Sequence, residues 1–220
     1  MTRGARIAAL LVSAVAVAAL VAFYISTWVL NFPPAVQAQT SNGSASLTLE
    51  TVAAYGHSPH SSWVSYFVKG ADGRWHHTTI IDIPAHTLVH VTIINFDGNS
   101  GLRNPLWAKA RGVQGAEISI NGKPPIAGIN PDDASHTFAI PDMGISVPIH
   151  GVADNAPNQC ATPAPCPMST AHTVTTFAFR TGKPGHYRWQ CFVPCAAGFL
   201  NGFGGPMQTV GYMDGYLNVT

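Results

Sequence analysis

Sulfur-bearing side chains are concentrated in one segment near the end of the chain, residues 185–213 (GHYRWQCFVPCAAGFLNGFGGPMQTVGYM). The segment contains the thiols of Cys191 and Cys195, four positions apart, and the thioethers of Met207 and Met213. Thiolates and thioethers are soft ligands, and they suit a soft metal such as copper. The alternative interpretation is a disulfide between Cys191 and Cys195 in a loop shaped by Gly and Pro residues.

His136 is the upstream histidine that best complements these sulfur atoms. Copper electron-transfer sites usually combine two imidazoles and a thiolate with a weak methionine ligand. His136 begins a predicted strand (SHTFAIPDMG) that could lie beside the strand ending at Cys191. His136 is therefore the candidate imidazole ligand for a copper site with the sulfur-bearing segment, and His150 is a fallback ligand. The competing interpretation makes His136 a surface or structural histidine at a strand edge.

The remaining two cysteines, Cys160 and Cys166, lie close together in a Pro-rich stretch (PNQCATPAPCP). In an oxidising compartment such a pair is expected to form a local disulfide, with a metal role as the alternative. Four cysteines allow three pairings, and the sequence alone does not choose between them.

The N-terminus carries a long apolar run. Arg3 and Arg6 precede an uncharged segment over residues 7–30, which matches the length of a membrane-spanning helix. The two arginines favour a cytoplasmic N-terminus, which predicts a single-pass protein of the cell membrane with its C-terminal domain outside. The alternative is a cleaved signal with its site near Ala38.

The rest of the chain has the character of a β protein. Short runs of β-forming residues are bounded by Gly, Pro, Asn or Asp, which predicts an antiparallel all-β sandwich. Residues 98–133 interrupt this pattern and are treated as an insertion with a short helix at 105–111. We predict an anchor over 1–31, a flexible linker over 32–46 and one domain over 47–220. The predicted strands are 47–53, 63–69, 87–96, 135–140, 172–180, 186–191 and 215–219.

Composition excludes several classes of function. Charged residues make up only 10% of the chain and the net charge is +1, so there is no basic surface of the kind that binds nucleic acid. The sequence also lacks the GxSxG, HExxH, P-loop and GxGxxG patterns. Hydrolase, metalloprotease, phosphate-loop and dinucleotide-binding functions therefore have no motif to support them.

Two stretches resemble a known family. DASHTFAIPDMGISVPIHG resembles the segment around the first copper-binding histidine in the periplasmic cupredoxin domain of cytochrome c oxidase subunit II. GHYRWQCFVPC resembles the strand and two-cysteine loop of the same family, and GYMDGYLNV resembles the close of related membrane-anchored cupredoxin-like proteins. The resemblance implies a Greek-key β-sandwich. In the oxidase subunit two copper ions share two thiolates, flanked by two histidines, a methionine and a backbone carbonyl.

Carried over to this chain, the resemblance assigns the first histidine to His136 and the bridging thiolates to Cys191 and Cys195. The carbonyl position falls on Val193. The second histidine position holds Phe199 and the expected methionine position holds Gly202, with Met207 as the nearest later sulfur. The remaining set of one imidazole, two thiolates and a thioether suits one Cu(I) ion better than a dinuclear centre.

The resemblance thus implies copper-dependent electron transfer or copper handling near a respiratory complex. The protein would be an electron-transfer component rather than a stand-alone enzyme, with oxidase subunits or a cytochrome as partners. The alternative is a copper-free cupredoxin in which both cysteine pairs are oxidised, serving as an accessory or structural subunit.

Overall fold

The computed structural model describes residues 2–29, 32–102, 104–156, 160, 163–195 and 204–220. The chain forms two compact units, Met1–Phe32 and Pro33–Thr220.

The first unit is a helix, α1 (Arg3–Tyr24), followed by a π-helical turn at Ile25–Val29. Thr2 caps its N-terminus by accepting a hydrogen bond from Ala5 N (3.3 Å) through its hydroxyl. The helix has Ala, Leu and Val side chains on all of its faces, and none of its residues is buried. The span 3–27 has a mean hydropathy of 2.6, so the helix is long and apolar enough to cross a membrane. A signal sequence near an N-terminus has the same length and composition.

The second unit is a β-sandwich of two sheets joined by loops and five short 3-10 turns within the described residues. The turns are Pro105–Ala108, Gln114–Ala116, Pro131–Asp133, Pro141–Met143 and Gly205–Gln208. The strands, in chain order, are β1 (Val36–Gln37), β2 (Gln39–Ser41), β3 (Ser44–Val52), β4 (Ser65–Lys69), β5 (Trp75–His76), β6 (Ile80–Ile83), β7 (Leu88–Asn95), β8 (Ser119–Ile120), β9 (Ala134–Ile140), β10 (Ile145–His150), β11 (Thr173–Arg180), β12 (Gly185–Gln190) and β13 (Asp214–Val219).

The chain passes between the two sheets several times, often after two or more consecutive strands in the same sheet. One sheet has the order β1-β6-β13-β12-β9-β10, and the other has the order β5-β4-β3-β7-β11-β8 with β2 paired to β3. Three pairs are parallel: β1 with β6, β6 with β13, and β3 with β7. The predicted β-sandwich is confirmed, but these three pairs are parallel where the sequence predicts antiparallel pairing. In each pair the chain crosses to the other sheet between the two strands, so no hairpin joins them.

The core lies between the sheets and follows the alternation of the strands. On β7 the side chains of Val89, Val91 and Ile93 are buried while His90 is exposed, as the period-2 pattern predicts. Trp189 on β12 is fully buried, and its indole N–H donates to Thr79 O at 2.9 Å. This packing fixes β12 directly before the first thiol of the cysteine loop.

Residues 36–46 form strands where the sequence predicts a flexible linker. A polar composition suggested a tether, but Asn42 and Gly43 both have positive φ (50° and 75°) and form a two-residue hairpin turn between β2 and β3. Four further strands are absent from the prediction. Strands β5 and β8 have only two residues each, and β6 and β10 are buried on both faces and do not alternate. The short helix expected at 105–111 is the 3-10 turn Pro105–Ala108, capped by the Asn104 side chain.

Candidate metal centre

Cys191 is the first residue after β12, and it is fully buried. Its N–H donates to Met213 O at 3.0 Å, which extends the pairing of β12 with β13 by one residue. Its sulfur accepts a hydrogen bond from Thr137 N (3.3 Å), a residue of the neighbouring strand β9. A buried sulfur that accepts from a backbone N–H is in a favourable environment for a thiolate.

A short loop places the sulfur of Cys195 beside that of Cys191. Its Sγ lies 3.0 Å from Cys191 Sγ and 3.0 Å from Val193 O. The loop is attached to β9 by a hydrogen bond from Phe192 N to Thr137 Oγ1 (2.7 Å). Both cysteines are free thiols in the structure, and Cys195 is the more exposed of the two.

His136 completes the cluster from β9, where it is fully buried. Its Nδ1 lies 2.9 Å from Cys195 Sγ and 3.9 Å from Cys191 Sγ. The three ligand atoms of His136, Cys191 and Cys195 all lie within 4.8 Å of one another. The structure therefore brings together three of the four predicted ligand residues.

A carboxylate lies on the other side of the imidazole. Asp97, which follows β7, places Oδ2 3.0 Å from His136 Nε2. Burial raises the pKa of Asp97, but the contact with His136 and the N–H of Gly98 outweigh burial, and the pKa is lowered overall. Asp97 is therefore ionised at neutral pH.

The protonation states of the cluster follow from these contacts. Burial lowers the pKa of His136, but Asp97 and Cys191 outweigh this effect and raise the pKa to about 9. Burial raises the pKa of Cys191, but hydrogen bonds from Cys195 and His136 hold it well below its usual value. Burial and the Cys191 charge raise the pKa of Cys195. At neutral pH the metal-free cluster contains one imidazolium, one thiolate and one thiol.

This donor set fits copper. Two sulfurs and one imidazole nitrogen lie within 4.8 Å of one another. The carbonyl oxygen of Val193 lies 3.6 Å from Cys191 Sγ. One soft metal ion in this position would take the place of the two protons on His136 Nδ1 and Cys195 Sγ. The full burial of His136 and Cys191 would keep water from these two ligands.

The fourth predicted ligand, Met207, lies in the 3-10 turn Gly205–Gln208 and is partly buried against the core cluster that contains Cys191. Its role as a ligand stays a prediction. Phe199 and Gly202, the positions where the resembled family has its second histidine and its methionine, lie outside the described residues.

The other histidines are placed elsewhere. His150 ends β10, and its ring nitrogens face Gly151 O (2.7 Å) and Asp133 (4.0 Å), so the structure does not bring it to the cluster as a fallback ligand. His186 bonds Asn218 on the outer face of the sheet, as the strand alternation predicts. The Cys160–Cys166 disulfide is confirmed.

Sequence reasoning missed three residues that position the cluster: Asp97, Thr137 and Asn95. Asn95 and Asp97 belong to a polar end of a strand (NFDGN), which is a signal that the sequence does contain. Thr137 is not recognisable in advance, because its contribution is a backbone N–H and a hydroxyl that act only when β9 lies beside the cysteine loop.

Comparison with known proteins gives low overall similarity. No family model matches the sequence, and no curated protein matches it. Among solved structures, the chain is similar to the metal-binding domain of the Cu(I)-exporting P-type ATPase CopA of Streptococcus pneumoniae D39, solved with Cu(I). That similarity has 10% identity and a TM-score of 0.35, over 85% of this chain and 96% of that one.

The chain is also similar to rusticyanin from Thiobacillus ferrooxidans, with 18% identity and a TM-score of 0.34, over 84% of this chain and 82% of that one. Similarity at this level leaves the function to be argued from the site itself.

Proposed function

We propose that this protein is a membrane-anchored, extracytoplasmic copper protein with a cupredoxin-like domain that resembles cytochrome c oxidase subunit II. It acts in electron transfer or copper handling near a respiratory complex, and its partners are oxidase subunits or a cytochrome. His136, Cys191 and Cys195 hold one copper ion, and Met207 supplies a weak fourth ligand. The observation that carries this proposal is the convergence of one imidazole and two sulfurs within 4.8 Å.

The chain's own groups perform two tasks at this site. Thr137 N and the Cys195 thiol stabilise the Cys191 thiolate before metal arrives. The Phe192–Thr137 hydrogen bond fixes the loop on β9, so the sulfurs do not have to be assembled by the metal. Bound copper would supply a one-electron couple, and a set with two sulfurs and only one imidazole favours its Cu(I) state.

The membrane part of the proposal is supported by α1. Its span is long and apolar enough to cross a bilayer, and the arginines at positions 3 and 6 precede it. A disulfide between Cys160 and Cys166 is the kind of bond that persists outside the cytoplasm.

Copper loading of the full-length protein in detergent tests the proposal. The reduced protein is given excess Cu(I) without oxygen, unbound metal is removed, and copper and free thiols are counted. We expect about one copper per chain and, after oxidation, intense thiolate-to-copper absorption. His136→Ala should lose most of this copper, whereas the matched control His150→Ala, outside the cluster, should retain it.

One observation favours a second candidate, a copper-free accessory subunit. The two sulfurs lie only 3.0 Å apart, so oxidation to a disulfide would need little movement and would remove both sulfur ligands. Protein purified without reductant that has no free thiols, and that stays metal-free after reduction and copper loading, would favour this candidate and contradict the copper proposal.

A further inference from the structure

The two nitrogens of the His136 ring face different groups. Nδ1 lies 2.9 Å from Cys195 Sγ, whereas Nε2 lies 3.0 Å from Asp97 Oδ2. A neutral imidazole carries its proton on one nitrogen only, and the partner of that nitrogen decides which one. A carboxylate at Nε2 keeps the Nε2 proton in place, so the proton that the imidazolium gives up is the one on Nδ1, and the Nδ1 lone pair then faces the sulfurs.

Asp97 is itself held in place by a chain of hydrogen bonds. Its Oδ1 accepts from Gly98 N at 2.8 Å, and its own N–H donates to Asn95 Oδ1 at 3.2 Å. Asn95 is fully buried; it accepts from Thr51 Oγ1 (2.6 Å) and donates to Asp97 O (2.9 Å) and His150 O (3.0 Å). The carboxylate is therefore positioned by β3, β7 and β10 together, independently of the cysteine loop.

The other side of Asp97 faces solvent. The carboxylate lines a surface cavity of about 230 Å³ together with Phe96, Val152 and Asp154, and its side chain is 24% exposed. Partial hydration lets the carboxylate remain charged, which a fully buried and unpaired carboxylate would not.

We propose that Asp97 is a positioning residue of the copper site, which fixes the tautomer and ring orientation of His136 and adds a negative charge behind the ligand. The inference rests on the proposed copper function. Such carboxylates orient metal-binding imidazoles and raise their basicity. The charge stabilises the more highly charged metal state, so Asp97 opposes the preference of the two sulfurs for Cu(I).

The first test needs no metal. Imidazole ¹H–¹⁵N spectra of the reduced, metal-free protein report whether His136 Nε2 carries a protected proton, in the imidazolium and in the neutral ring alike. In the wild type, we expect a protected Nε2–H. Asp97→Ala should lose this signal by rapid exchange, whereas Asp154→Asn, which changes an exposed carboxylate of the same cavity, should keep it. An unchanged Nε2–H signal in Asp97→Ala would overturn the positioning role.

The second test separates orientation from charge in the copper-loaded protein. Asp97→Ala should weaken copper binding by about 10–100-fold. Asp97→Asn keeps an acceptor oxygen for Gly98 N but removes the charge, so the preference for Cu(II) over Cu(I) should fall. A tenfold fall corresponds to a potential about 59 mV higher. Asp154→Asn should stay within about twofold of the wild type in affinity, since it does not contact the ligand.

The two proposals fail in different ways. A wild type that binds no copper contradicts the proposed function, and the metal-free spectra alone then decide the positioning role. A wild type that binds copper while Asp97→Ala and Asp97→Asn match Asp154→Asn in affinity and potential overturns the role of Asp97 and leaves the copper site standing.

Discussion

The two cysteine pairs of this chain lie in chemically different surroundings. Cys160 and Cys166 form a disulfide against an apolar cluster that includes Phe67 and Phe96. Cys191 and Cys195 remain thiols, although their sulfurs approach to 3.0 Å, and they face His136. One pair is a crosslink in a loop, and the other is a donor set beside an imidazole.

The difference shows that spacing alone does not determine what a cysteine pair does. Both pairs are close in sequence and both lie in loops containing proline. What separates them is the neighbouring strand: β9 offers a backbone N–H to the Cys191 sulfur and an imidazole to the Cys195 sulfur. A stabilised thiolate is the form of cysteine that binds a metal.

The largest difference between the two pairs should be in copper affinity, when one sulfur of each pair is replaced by oxygen. Cys191→Ser removes the thiolate at the centre of the cluster, and we expect copper affinity to fall by at least about 100-fold, because a hydroxyl is a poor ligand for a soft metal. Cys160→Ser should bind copper as the wild type does. Copper content after dialysis against a competing chelator measures both. Equal copper loss in the two variants would contradict the division of roles.

For the free energy of unfolding, the disulfide pair should matter more than the pair beside His136. Cys160→Ser removes the crosslink and should lower the free energy of unfolding by about 2–5 kcal/mol. Denaturant unfolding of the metal-free protein measures this change. Wild type treated with enough reductant to open the disulfide is the matched control and should show the same loss. A Cys160→Ser variant as stable as the oxidised wild type would contradict the prediction.

The attachment of the cysteine loop to β9 should have an intermediate effect. Thr137→Val removes the hydroxyl that accepts from the partly buried Phe192 N–H, and losing such a hydrogen bond costs about 1 kcal/mol. The variant should be less stable and bind copper more weakly. Thr175→Val is the matched control, because the Thr175 hydroxyl is buried and has no hydrogen-bond partner among the described residues, so its removal should cost little. Equal costs for both variants would show that the Thr137 hydroxyl does not hold the loop.

Much of the fold could be predicted from the alternation of apolar and polar residues along the strands. The failures of this prediction have physical causes. The long strands β7, β11 and β12 each bury one face, so their period is visible in the sequence. Strand β10 is buried on both faces, and its period disappears. The Asn42–Gly43 turn is a strong hairpin signal, but its polar flanks were interpreted as a linker.

Only the ligand residues of the site could be predicted from the sequence. Two thiols and a strand histidine are recognisable by type, and the structure brings them together. The groups that orient them act through tertiary contacts: Asp97 lies 3.0 Å from the His136 ring, and Thr137 accepts a hydrogen bond from the cysteine loop. Such contacts are tertiary, and no local pattern contains them.

The smallest expected effect is a pH dependence confined to the disulfide region. Glu50 on β3 is almost fully buried, and its Oε1 accepts from Cys166 N at 2.6 Å. Burial raises its pKa from 4.5 to about 7, although the Cys166 N–H favours the ionised form. A raised carboxyl pKa means that the fold prefers the neutral form. The stabilisation is therefore complete below about pH 4.5 and is lost as the pH rises towards about 7.

Glu50→Gln should remove this dependence, because the amide oxygen still accepts from Cys166 N and carries no charge. We expect the variant to gain stability relative to the wild type by roughly 1 kcal/mol between about pH 5 and pH 7. His77 acts in the opposite sense: burial and His57 lower its pKa to about 4, so its contribution is lost as the pH falls. Because both proteins contain His77, the difference between their denaturant-unfolding profiles isolates Glu50, and parallel profiles would mean that its carboxyl is hydrated in solution.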